Sequence, residues 1–221
     1  MSAALPRPRL QVALDTRDLP SALGPLQRAA GSVDVIEVGT VLCLAEGMHA
    51  VRAVRALFPD RPVLADLRIA EAGAILSRLA FEAGADWVSV VAGASAVTVE
   101  QVCAVAREHG GQVQVELGEH VDLAQAAGWR AAGVEHVIVH RSRDAEAAGE
   151  PAWTADDVRH VHDLHALGFV VTITGGISRD ELTAFAGAPV GIVIAGRAIV
   201  EADDPAAAAA DLRDALAEVW P

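Results

Sequence analysis

Lysine is missing from this chain of 221 residues: the whole Lys+Arg count of 17 is arginine. Without an ε-amine there is no Schiff-base nucleophile, no attachment point for pyridoxal phosphate and no P-loop lysine, so those chemistries are excluded. Tyrosine is also absent and aromatics make up only 4% of the residues, which rules out a tyrosine-rich binding surface. The two cysteines, Cys43 and Cys103, sit far apart in apolar-periodic segments with no CxxC spacing. They read as reduced core thiols, and the expected compartment is the cytoplasm. No apolar run reaches membrane-spanning length, and the arginines of "MSAALPRPRL" are followed by no apolar stretch, so neither a membrane helix nor a signal peptide is expected. Positive charge is scarce, with a formal net charge of −13. A nucleic-acid backbone or an anionic membrane would be repelled, and an anionic small substrate would need a local basic pocket.

What the chain does have is alanine, valine and leucine, within a hydrophobic content of 52%. Small apolar side chains suit packing between helices and parallel strands, so the class is soluble α/β. Short β-branched runs recur eight times, at residues 10–15, 33–39, 61–68, 85–92, 111–118, 135–142, 168–176 and 191–198. Between them lie stretches of helical spacing, such as "AVRAVRALF" and "VEQVCAVAREHG", several closed by glycine. Eight strand–helix alternations with no linker or composition break predict one (β/α)8 barrel domain over residues 1–221.

A barrel of this kind carries its active residues at the C-terminal strand ends, above strand interiors filled with branched apolar side chains. The unusual residues fall at those ends: Asp15, Glu37, Asp66 with Arg68, Glu116, His140 with Arg143, Thr174-Gly175-Gly176, and Gly196-Arg197. Three groups stand out. The glycines of "TITGGIS" and "IAGRAI", with Arg197, match the position after strands seven and eight where barrels hold phosphate on backbone N–H groups. The acids Asp15, Glu37 and Asp66 crowd three neighbouring strands and call for a cation such as Mg²⁺, an arginine or a substrate hydroxyl among them. In "VIVHRSRDAEAAG", His140 can move a proton near neutral pH, and Arg143 can stabilise negative charge. The histidines of "RHVHDLH", His160, His162 and His165, read as a solvated helix face, and the four scattered tryptophans as packing residues.

These segments, from "LQVALD" through "VDVIEVGT", "VLAD", "FEAGADWV", "HRSRDAEAAG" and "TGG" to "IAGR", resemble the orotidine 5′-phosphate decarboxylase superfamily. Within it they are most similar to the 3-keto-L-gulonate 6-phosphate decarboxylases, with the hexulose-6-phosphate synthases as siblings. The resemblance implies a Mg²⁺-dependent homodimeric lyase that decarboxylates a 3-keto sugar-acid phosphate through a 1,2-enediolate. It implies that Asp15 and Glu116 contact substrate, Glu37 and Asp66 serve the metal, and His140 and Arg143 manage proton delivery. It further implies that Thr174, Gly175, Gly176, Gly196 and Arg197 bind phosphate, and that Glu71 reaches the neighbouring subunit's site.

One segment departs from that pattern. Where the superfamily has Asp-x-Lys-x-x-Asp, this chain reads Asp66-Leu67-Arg68-Ile69-Ala70-Glu71. Arginine is a poor proton donor, which disfavours orotidylate chemistry, but its guanidinium can stabilise enediolate oxygens with two hydrogen bonds. An aldolase or isomerase acting on a related ketose phosphate, and a non-catalytic sugar-phosphate-binding barrel, remain as alternative readings.

Overall fold

The computed structural model describes residues 5–118, 122–141, 144, 147–149 and 153–221. Its elements run β1 (Arg9–Leu14), α1 (Leu19–Ala29), β2 (Val35–Val38), α2 (Thr40–Glu46), α3 (Met48–Leu57), β3 (Val63–Ile69), α4 (Gly73–Glu82), β4 (Trp87–Val91) and α5 (Ala96–His109). They continue with β5 (Gln112–Glu116), α6 (Leu123–Ala132), β6 (His136–His140), α7 (Ala155–Ala166), β7 (Val170–Thr174), α8 (Arg179–Leu182), β8 (Val190–Ala195), α9 (Arg197–Val200) and α10 (Pro205–Val219). All strands pair in parallel in sequence order, and β1 pairs with both β2 and β8, so the sheet closes into a barrel. The expected (β/α)8 architecture is what forms.

Local chemistry sets the helix boundaries. Asp18 accepts from Ser21 N at 2.8 Å to start α1, and Asp122 accepts from Ala124 N and Gln125 N to start α6. Thr154 and Asp157 form a reciprocal capping box on α7. Gly110 and Gly133 close α5 and α6 with positive φ. The last helix packs on α1, and the Trp220 indole donates to Ala188 O at 2.9 Å, fastening the C-terminus over the barrel seam.

Side chains alternate along every strand, and the two faces differ in chemistry. Leu10, Val12, Leu14, Ile36, Val38, Val113, Val115, Val137 and Val139 face outward into the main apolar core beneath the helices. Cys43 and Cys103 belong to the same core as buried free thiols. Burial pushes their thiols up to about 12 and about 11. The lumen differs from the branched apolar filling expected of it. A small apolar set of Ala13, Val35, Leu64, Trp87, Ile192 and Ile194 shares it with fully buried Gln11, Ser89, Gln114 and Thr172. Polar side chains are tolerated there because they bond across the lumen, as Gln114 Nε2 does to Thr172 Oγ1 at 2.9 Å.

The floor of the barrel holds a titrating group. The buried His136 ring packs on Trp87 with centroids 4.7 Å apart, its Nε2 lies 2.9 Å from Gln112 Oε1, and its Nδ1 has no partner among the described residues. Burial first, and then the nearby Arg9 guanidinium, lower its pKa to about 4. The unfolded chain takes up this proton near pH 6.5 and the folded chain only near pH 4, so the stabilisation is complete above the unfolded value. It is lost as pH falls through that window, at a cost of up to about 3 kcal/mol. Replacing the ring by an amide, His136→Gln, should therefore flatten the change in denaturation midpoint between about pH 6.5 and pH 4. An unchanged slope in the variant would assign the acid sensitivity elsewhere.

Candidate active site

The C-terminal ends of the strands open into a cleft of about 1260 Å³. Asp15, Glu37, Asp66, Arg68, Glu116, His140, Thr174, Gly175, Gly176, Gly196 and Arg197 all line it. Loops and strand ends distant in sequence converge here because each βα unit returns the chain to the same rim.

Two carboxylates lie deepest. Glu37 on β2 and Asp66 on β3 are both buried. Asp66 is well supplied with donors: Thr40 Oγ1 donates to Oδ2 at 2.5 Å and Ser89 Oγ to Oδ1 at 2.6 Å. The Arg68 guanidinium stands 3.7 Å from Oδ2. Glu37 accepts from Gln11 Nε2 at 2.6 Å. Burial raises the pKa of Glu37 well above the ordinary carboxylate range, and the negative charges of Asp66 and Asp15 push it further. Asp66 is raised by burial too, against the opposing pull of its Ser89 and Thr40 hydrogen bonds. Asp15 lies higher, where its Oδ1 accepts from Val41 N at 3.2 Å at the start of α2. A Cβ at Gly39 would stand 2.3 Å from that oxygen, so glycine is what allows Asp15 to fold over the helix start.

Above the carboxylates runs a chain of charged contacts. Glu116 Oε1 accepts from Arg68 Nη2 at 2.7 Å and is also hydrogen-bonded to His140 Nδ1. Carboxylate contact at Nδ1 places the proton there and leaves Nε2 as the nitrogen that can exchange one. Arg68 reaches this position through an irregular strand. The β3–β4 register shifts between Ala65 and Ile69, and Arg68 takes φ 45°, a left-handed conformation uncommon for a bulky side chain. Ser89 Oγ accepts from Arg68 N at 2.8 Å, so one hydroxyl holds both the bulged backbone and Asp66.

At the β7 and β8 ends the cleft changes character. Gly175 has φ 112°, and a Cβ there would lie 2.1 Å from Arg141 O. Only glycine lets the β7 turn pass so close to the end of β6. Gly196 caps α9, whose first residue is Arg197, and Arg141 also lines this part of the cleft. Backbone amides and two arginines gather here in a chain that is acidic overall.

Two candidates remain. Glu71 is exposed in the loop before α4 and does not line this chain's own cleft. Arg143 lies outside the described residues. Four contributors escaped the sequence reading: Gln11, Thr40, Ser89 and Arg141. Each is a common polar residue, and only its alignment with the strand-end acids or the paired glycines could have marked it. His162 and His165 are exposed as expected, whereas His160 lines the cleft; Trp153 packs on the core edge-on to Phe185, as expected, and also lines the cleft.

A closed parallel (β/α)8 barrel with acids, an arginine, a histidine and a glycine-arginine end around one cleft defines a barrel enzyme working on a small polar substrate. The chain belongs to the orotidine 5′-phosphate decarboxylase / HUMPS family, whose profile matches residues 8–212. It is 47% identical to 3-keto-L-gulonate-6-phosphate decarboxylase UlaD of Escherichia coli O17:K52:H18 over 96% of this chain and 98% of that protein. Among solved structures, 3-keto-L-gulonate-6-phosphate decarboxylase from Vibrio cholerae superposes with a TM-score of 0.89 at 42% identity, covering 98% of this chain and 100% of that one. The sibling 3-hexulose-6-phosphate synthase from Salmonella typhimurium gives 0.88 at 33% identity, covering 96% and 99%.

Proposed function

We propose that this protein is a carboxy-lyase that decarboxylates 3-keto-L-gulonate 6-phosphate or a close 3-keto sugar-acid phosphate. The observation that carries this reading is the Arg68–Glu116–His140 chain beside Asp66, in one cleft with the glycine-arginine end of β7 and β8. The 47% identity to a curated enzyme of that name supports it. In a β-keto acid the bond to the carboxylate breaks, CO₂ leaves, and its electron pair remains as a 1,2-enediolate. In this reading Arg68 stabilises the enediolate oxygens through two N–H groups. His140 Nε2 can deliver the proton that completes the product, while Glu116 holds the ring by Nδ1. Thr174, Gly175, Gly176, Gly196 and Arg197 hold the phosphate, Asp15 and Glu116 address hydroxyls, and Arg143, which follows β6 in the sequence, assists proton delivery.

The donor set at the cleft floor fits Mg²⁺. Among the described residues no group of three or more His, Cys, Asp or Glu is arranged to hold a metal ion. Two buried carboxylates do suit a small hard cation, because Mg²⁺ typically takes one or two carboxylates and completes its shell with waters and substrate oxygens. Glu37 and Asp66 would hold it. Bound there, Mg²⁺ offsets the buried negative charge and polarises substrate oxygens.

The assembly belongs to the same reading: a homodimer in which Glu71 enters the partner's cleft, in the cytoplasm. Exposed apolar side chains on α2 and on the adjoining α4 and α5 support it, among them Leu44 at 82%, Ile75 at 67% and Val97 at 61% exposure. An apolar surface of that kind gains by being covered.

CO₂ release from 3-keto-L-gulonate 6-phosphate should be measurable and should cease on chelation of divalent ions without unfolding. Formaldehyde-dependent condensation with a pentulose phosphate in place of CO₂ release would instead indicate the hexulose-phosphate synthase reaction, and no turnover with either would indicate a binding protein. Arg68→Ala should lower kcat on the order of 100-fold, the scale of a lost oxyanion donor, while Arg68→Lys retains activity. Wild-type turnover in the alanine variant would remove Arg68 from the chemistry. Sedimentation at micromolar concentration should return twice the chain mass, and a monomer would detach Glu71 from any active site.

A further inference from the structure

The two deep carboxylates are held in different ways. Asp66 has two hydroxyl donors and an arginine, whereas the side chain that reaches Glu37 is Gln11 alone among the described residues. Gln11 is fully buried on β1, and β1 pairs with β2 so that Ala13 stands beside Glu37. Its Nε2 donates to Glu37 Oε2 at 2.6 Å, while its own Oε1 is buried without a partner among the described residues. Reversing the amide would bring two oxygens together, so the carboxylate dictates which end of the amide faces it. A buried glutamine with one of its two polar side-chain atoms unpartnered is an unfavourable way to fill a barrel lumen, where leucine or methionine would pack at no such cost. The donor it offers Glu37 is what distinguishes it from an apolar filler.

We infer that Gln11 is a positioning residue: by occupying Glu37 Oε2 from below, it fixes the carboxylate in one orientation and leaves Oε1 to the cleft that Glu37 lines. This rests on the reading of Glu37 and Asp66 as the site of a divalent cation. Gln11 has no side-chain presence in the cleft itself and acts through Glu37. Supporting groups behind a metal-binding carboxylate typically change ion affinity 10–100-fold when removed.

The test uses Mn²⁺ alone, titrated by calorimetry or spin resonance into substrate-free wild type, Gln11→Met, Glu37→Gln and the double variant. Methionine keeps the length and volume of glutamine and removes the donor. Gln11→Met should bind Mn²⁺ at least about 10-fold more weakly while the binding of inorganic phosphate, at the other end of the cleft, stays within about two-fold. In the Glu37→Gln background the same change should have no further effect, since the group through which Gln11 acts is gone. Wild-type Mn²⁺ affinity in Gln11→Met, or an equal weakening of phosphate binding, would reduce Gln11 to a packing residue and overturn the inference. A wild-type protein that binds no Mn²⁺ would overturn the cation reading itself, and the inference with it. Should the methionine variant not fold, Gln11→Asn, which keeps the amide but shortens its reach, should weaken Mn²⁺ in the same direction; unaltered affinity there counts against the inference equally.

Discussion

Two carboxylates buried on adjacent strands set the terms for the rest of this barrel. Glu37 and Asp66 lie where desolvation raises both of their pKa values, and the charge of Asp66 pushes Glu37 further. Charge so placed must be matched by donors or a cation, and the surrounding polar residues supply part of that match. Thr40 and Ser89 donate to Asp66, Gln11 donates to Glu37, and Arg68 brings the nearby positive charge. Gln11 and Ser89 in the polar lumen follow from the same constraint, because donors that reach the carboxylates from the lumen must themselves be buried.

Arg68 ties this floor to the reactive end of the site. Its strand bulges, its φ is positive, and its backbone N–H is held by the same Ser89 hydroxyl that serves Asp66. Strain of this kind costs on the order of 1–3 kcal/mol and persists only where neighbouring contacts hold it. Here it sends the guanidinium across to Glu116, which in turn holds His140. Arginine where the superfamily pattern has lysine is thus built into a network suited to a planar, two-pronged cation.

Charge is distributed unevenly around the mouth. The chain carries −13 overall and its deep acids are on β2 and β3, while Arg141 and Arg197 flank the glycine turns at the β6 to β8 end. Such a distribution would favour an anionic group at one end of the cleft and a cation at the other. A sugar acid carrying a phosphate has the extended, doubly functional shape that such a polarity can orient.

The order of eight strands, the helices between them and the charged and glycine residues at the strand ends could be read from the sequence alone. A parallel (β/α)8 plan is written in local signals: β-branched runs, helical spacing, capping aspartates and closing glycines, all acting over a few residues. Strand-end residues such as Asp15, Glu116 and Thr174 follow from that plan because the topology sends every strand end to one face. What only the tertiary structure decided is which side chains meet across strands. That Gln11 serves Glu37, that Ser89 supports both Asp66 and the Arg68 backbone, and that His136 sits neutral on Trp87 depend on the closure and register of the barrel. Glutamine and serine carry no chemistry of their own that would mark them, and they acquire it here because closure buries them within hydrogen-bonding distance of a charge that must be satisfied.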